Sequence, residues 1–243
     1  MDAWVRHRKH LSVAHLQAAD FFCRESGRIE EQYMALSEPE LLSDSDDRIF
    51  QHRSFVIGSI FSAVAFLEAA VNEFFADAAS NETHIRNNFN ALNISRLSTL
   101  WSLDIPRTAR YSILQKYDIA LALLDNPALE HAGGVYQEVL ILVRLRNALM
   151  HFEPETTRIR LGDGFHHPNR FDKFLKGKFQ LNPLVHWKIT HYPDLYLSHS
   201  CASWGVKSSV RFVDDFFFRI GLEPPYEYRE VEEVRVKWRG SYY

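Results

Sequence analysis

The chain has 243 residues, with 46% hydrophobic and 24% charged side chains, the balance of a folded globular protein rather than a disordered or fibrous one. A formal net charge of −3 excludes a molecule-wide basic field, so any nucleic-acid partner would have to meet a local positive patch. Two cysteines, Cys23 and Cys201, are too few for a disulfide framework or a zinc cluster.

The opening MDAWVRHRKH has no apolar stretch behind its charges, which points away from a secretory signal and toward a cytoplasmic protein. Helical spacing runs from Trp4 to about Ala35, with Leu11, Ala14, Ala18, Phe21 and Phe22 on one side. The acidic, serine-rich run Ser37 to Asp47 breaks it and reads as an exposed connection. A longer helix is expected from about Asp47 to Ala79, with a face of small and large residues (Phe55, Ser59, Ser62, Phe66, Ala69, Ala70) suited to close packing. Its apolar stretch SFVIGSIFSAVAFLEAAV meets Glu68 and Asn72 early for a bilayer span, so no membrane association is expected.

Shorter helices are predicted at Ser95 to Ser102 and Arg107 to Leu124, then a turn over Asp125 to Gly134 and a helix from Val135 to Phe152. Pro154 stops that helix, because the residue before a proline is pushed out of helical geometry. Arg158 to Ser200 is irregular, with RIRLG and VHWKIT as short alternating stretches of strand character. Helical spacing returns over Ala202 to Ile220, and the last twenty residues form a charged, aromatic, strand-like or frayed tail. The expected fold is mainly α, an antiparallel helical bundle with one long excursion before its last helix. A single domain over 1–243 is expected: 1–46 N-terminal helix and linker, 47–152 core helices, 153–200 excursion, 201–221 closing helix, 222–243 tail.

The stretch RLRNALMHFEPE is the chemical oddity. At about 100° per residue, Val139, Leu142, Val143 and Met150 share one side, with Arg146 among them. Arg144, Asn147 and His151 gather on another side. A guanidinium is costly to bury unpaired, so Arg146 must meet a carboxylate, reach water, or serve a site. From the residues alone two readings are open: Arg146 pairs with Glu68 or Glu73 while His151 favours the negative helix end, or the stripe is a binding and catalytic face.

RNALMH resembles the R-x4-6-H motif of the HEPN superfamily, including an asparagine directly after the arginine. The segments SIFSAVAFLEAAVNEF, QKYDIALALL, YQEVLILVRLRNALMHFEPE and ASWGVKSSVRFVDDFFFRIG are similar to the helices of its prokaryotic, defence-associated members. The resemblance implies a helical bundle that pairs about a two-fold axis, and a metal-independent endoribonuclease whose cleft takes Arg and His from both copies. It also answers a geometric objection. Positions i and i+5 lie about 140° apart on one helix, and a two-fold mate would supply the missing direction.

The implied roles follow phosphodiester chemistry. An imidazole exchanges protons near neutrality, so His151 would serve as acid or base. Arg146 would clamp the phosphate and offset the charge that builds on it. Asn147 would orient the imidazole or donate to the phosphate, and Arg144 would position the RNA backbone. Glu68 and Asn72 are supporting candidates. No cofactor is expected and no metal, although His166, His167, His186, His191 and His199 crowd the irregular region. Expected partners are RNA, a second copy of the chain, and an antitoxin or defence protein, in a toxin–antitoxin or anti-phage setting. The basic run Arg170, Lys173, Lys176 and Lys178 would be either a solvated face or the patch that receives RNA. The alternative function is a catalytically inactive HEPN-like module for dimerisation or for binding a nucleotide or protein; Glu153, where some members carry a tyrosine, and the acidic balance favour it.

Overall fold

A computed structural model describes residues 9–36, 46–107, 111–153, 172–185, 193–227 and 237–238. The acidic run at 37–45, RIRLG, nearly all of VHWKIT, and His166, His167, Arg170, His186 and His191 lie outside these residues. The architecture is mainly α-helical, of helical-bundle character. Backbone contacts gather the described residues into two compact units, one within Met1–Leu16, Ala65–Ala128 and Val213–Tyr243, the other within Gln17–Val64 and Leu129–Phe212.

The elements in chain order are α1 (Ser12–Met34), α2 (Asp46–Ala79), α3 (Thr83–Asn88), α4 (Ala91–Ser102), α5 (Ile113–Leu123), α6 (Gly134–Met150), α7 (Asp172–Leu175) and α8 (His199–Arg219), followed by the antiparallel pair β1 (Tyr226–Glu227) and β2 (Lys237–Trp238). The short α3 escapes sequence reading because six residues hold too little periodicity. Side-chain caps set the starts of α4 and α5. Asn90 accepts from the Asn93 backbone at 2.9 Å, so α4 begins earlier than its apolar pattern suggests. Ser112 and Gln115 form a reciprocal capping box, so α5 begins at Ile113 rather than near Arg107.

The first unit is built on aromatic side chains. Phe216, fully buried, meets Phe74, Tyr117 and Phe217 edge-on, with ring centroids 4.9–5.5 Å apart. Phe66 packs edge-on against Tyr226 at 5.3 Å, which holds β1 on the core. The start of α1 is held by Glu73 of α2, whose carboxylate accepts from the backbones of Leu11 and Ser12 and from the Ser12 hydroxyl. A carboxylate supplied by another helix thus does the work of a local N-cap.

α1 buries Val13 and Leu16 in the first unit and Ala19, Cys23, Ser26 and Ile29 in the second. The stripe expected from sequence is therefore rotated by part of a turn from the buried one: Leu11 and Phe21 are about half exposed. The buried stripe carries small residues where neighbours come closest, at Ala19, Ser26 and Gly27. Ser59 of α2 donates to the Ala19 carbonyl at 2.8 Å, and the ring of His199 seats against Gly27, where a Cβ would come within 2.9 Å of it. Gly205 of α8 likewise leaves only 3.0 Å between an added Cβ and Leu142 of α6.

Among the described residues, α2 is the one helix long and apolar enough to cross a membrane by length and composition, Glu68 notwithstanding. Half of its most apolar window is buried inside the protein, which a core helix also satisfies.

Candidate functional site

The motif helix is anchored by its apolar side and pinned by one carboxylate. Val139, Ile141, Leu142, Leu145 and Ala148 of α6 are buried. Glu138 accepts from the Ser208 hydroxyl at 2.8 Å and from the Arg211 guanidinium at 2.7 Å, which ties α6 to α8. The last turn is thereby held with its polar residues outward. Arg144, Asn147 and His151 are all exposed, as are Met150, Phe152 and Glu153.

The helix ends at Met150, two residues before its sequence-predicted end. His151 is the C-cap, with φ −107° and ψ 45°, and its N–H donates to the Asn147 carbonyl at 2.9 Å. Leaving helical geometry there swings the imidazole off the regular wheel, and the ring stays in solvent.

Arg146 lies at the edge between the two sides and is half-buried. Its Nη1 faces the Met150 sulfur at 3.9 Å, a weak acceptor, and its Nε is buried with no acceptor at all. No described carboxylate pairs with it. Within the first unit Glu68 accepts from Lys116 at 2.7 Å, and Glu73 caps α1. Asn72 also accepts from Lys116, at 3.3 Å. Both supporting candidates therefore belong to the Lys116 cluster of the first unit, whereas the four motif residues belong to the second.

Sequence reading missed Phe174. It sits on α7 with 41% of its surface exposed, and the Arg144 guanidinium carbon lies 5.8 Å from its ring centroid. The signal was present in FDKFLKGK, an aromatic residue among lysines, but nothing local says that this segment returns to α6.

A second polar cluster lies in the first unit. His10, Glu73, Asp77 and His84 line a cavity of about 30 Å3 with Ala70, Phe74, Phe217 and Pro225. That volume suits a water molecule rather than a nucleotide. His10 Nε2 is 3.0 Å and His84 Nε2 3.5 Å from the Asp77 carboxylate. Burial holds the His84 pKa below the ordinary histidine value, outweighing the opposing pull of Asp77 and Glu82. The unfolded chain thus takes up a proton below about pH 6.5 more readily than the folded one, so stability is fully present above that pH and is lost as pH falls from it through the lower folded-state pKa. Urea midpoints measured at pH 7.5 and 5.5 should fall toward acid in the wild type, and fall less in His84→Gln. An equal fall in both would remove His84 as the source.

The cysteines offer no nucleophile. Cys23 and Cys201 are buried, and burial pushes the Cys23 thiol up to about 12, with Asp20 adding to the shift, and Cys201 still higher. His199 is engaged at Nδ1 with the Cys23 carbonyl at 2.9 Å. Comparison of the chain with protein-family models, curated proteins and solved structures finds no match in any of the three.

Proposed function

We propose that the exposed end of α6 is the catalytic face of a metal-independent endoribonuclease of the HEPN type, completed by the same face of a second copy. The reading rests on one observation: Arg146 is rooted in apolar surface with its Nε buried and unpartnered, and no described carboxylate neutralises it. Its Nη1, met only by the weak Met150 sulfur, keeps donor capacity at the exposed end of the guanidinium that a phosphate oxygen would satisfy. Exposed Arg144, Asn147 and His151 surround it with further donors and a proton carrier.

In this reading the 2′-hydroxyl of RNA loses its proton to one imidazole and attacks the adjacent phosphorus. The new P–O2′ bond forms as the P–O5′ bond breaks, and a second imidazole, from the other copy, protonates the leaving 5′-oxygen. Arg146 meets the non-bridging oxygens, where negative charge grows. The products are a 2′,3′-cyclic phosphate and a 5′-hydroxyl. Exposed Met150 and Phe152 beside the motif supply apolar surface for the pairing of two copies.

The test is incubation of the purified chain with single-stranded RNA in excess EDTA, with the ends identified by mass spectrometry. Cleavage to cyclic-phosphate ends is expected. Cleavage that appears only when a divalent metal is returned would overturn the mechanism, and no cleavage under either condition would favour the inactive pairing module.

A further inference from the structure

The ring of Phe174 stands in an unusual setting for a phenylalanine. Its neighbour Leu175 is fully buried and Phe179, a few residues on, packs against Tyr196 and Trp204 with centroids 6.4 and 5.6 Å away. Those contacts fix α7 and the turn at Gly177, whose φ of +78° suits glycine. Phe174 is thereby held outward on a firm base instead of folding into the core that its neighbours enter. One side of the ring is met by Arg144, and two-fifths of the residue remains open to solvent. Lys173, Lys176 and Lys178 flank it, all exposed, and none is in an ion pair with a described residue.

An exposed ring backed by a guanidinium, with three exposed lysines within four positions of it in the chain, fits an unpaired base with its adjoining phosphates. The base stacks on the open side of the ring, Arg144 polarises the other, and the lysines answer the phosphate charge. Arg144 in contact with Phe174, and exposed Lys173, Lys176 and Lys178 beside it in the chain, concentrate positive charge in a protein whose formal net charge is −3. Duplex RNA offers no open base face, so the ring would gain nothing from it. An acidic peptide would use the cations but would have no need of an aromatic plane.

We propose that Phe174 and Arg144 form a stacking platform for one unpaired nucleotide, with Lys173, Lys176 and Lys178 on the neighbouring phosphates, which makes single-stranded RNA the substrate class of the α6 face. This rests on the nuclease reading for its substrate, but its test reads binding without chemistry. The probe is a fluorescein-labelled 2′-O-methyl RNA of about 12 nucleotides, which lacks the attacking hydroxyl, free or annealed to its complement. Its anisotropy is followed with the full chain. The wild type should prefer the single strand. Phe174→Ala and Phe174→Leu should weaken that binding by roughly fivefold or more, with little effect on the duplex, and Phe174→Trp should restore it. In turnover, Phe174→Ala should raise KM and leave kcat near the wild-type value.

Equal binding of single strand and duplex, or an unchanged affinity in Phe174→Ala, overturns the platform even if cleavage in EDTA is found. Phe174-dependent binding without any cleavage keeps the platform and removes the catalytic reading. Loss of binding that tracks a change in sedimentation of Phe174→Ala assigns the ring to a second copy and also overturns the proposal.

Discussion

Arg146→Met is expected to lower RNA cleavage by roughly a hundredfold or more while unfolding no more easily than the wild type. Arginine here is a poor choice for stability. A buried N–H without an acceptor costs about 1–3 kcal/mol, and the sulfur facing Nη1 returns little of that. Methionine keeps the apolar stem that Arg146 lays along α6 and discards the unsatisfied donor, so the urea midpoint should stay level or rise. His151→Ala should show the companion pattern. Its ring is exposed, so stability should move by no more than about 0.5 kcal/mol, whereas cleavage should drop by ~10²–10⁴. Loss of activity without loss of stability is the mark of groups kept for function. A scaffold arginine gives the opposite result: Arg146→Met would unfold earlier and cut RNA as before.

How far such a site can be read from sequence depends on which contacts are local. The mainly helical architecture is legible because apolar residues recur at helical spacing through α1, α2, α6 and α8. The end of α6 is legible to within two residues because Pro154 acts through its immediate neighbour. The exposure of Arg144 and Asn147 follows from the same wheel that buries Leu142 and Leu145, whereas His151 is exposed as the C-cap beyond it. Arg146 reads less cleanly. The wheel puts it beside buried Val139 and Leu142, but whether a carboxylate meets it is decided by segments distant in the chain. Phe174 fails for the same reason: its meeting with Arg144 depends on a chain return that no spacing encodes. In α1 the failure is of another kind. Two stripes of similar apolarity compete, and the choice falls to Ala19, Cys23, Ser26 and Gly27, whose small size matters only once α2 and α8 are beside them.

The Lys116 cluster carries the second large effect, an asymmetric one. Lys116 is 2% exposed and its ammonium has two acceptors, Glu68 and Asn72, whereas Glu68 remains 45% exposed. Glu68→Leu leaves a sealed ammonium with one neutral acceptor, and breaking such a pair from one end costs about 3–5 kcal/mol in fully buried cases. Solvent at Glu68 screens part of the pair, so about 2–3 kcal/mol is expected here. Lys116→Met removes the buried charge itself and frees a carboxylate that already touches water, so it should cost less, about 1 kcal/mol. The double variant should then unfold close to Lys116→Met alone, because the stranded ammonium is gone; additive losses in urea unfolding would show that the two side chains act separately. Cleavage by folded Glu68→Gln decides whether the cluster also serves the site. A rate within about threefold of wild type confines Glu68 to holding Lys116, and a tenfold fall at unchanged fold content would return it to the chemistry.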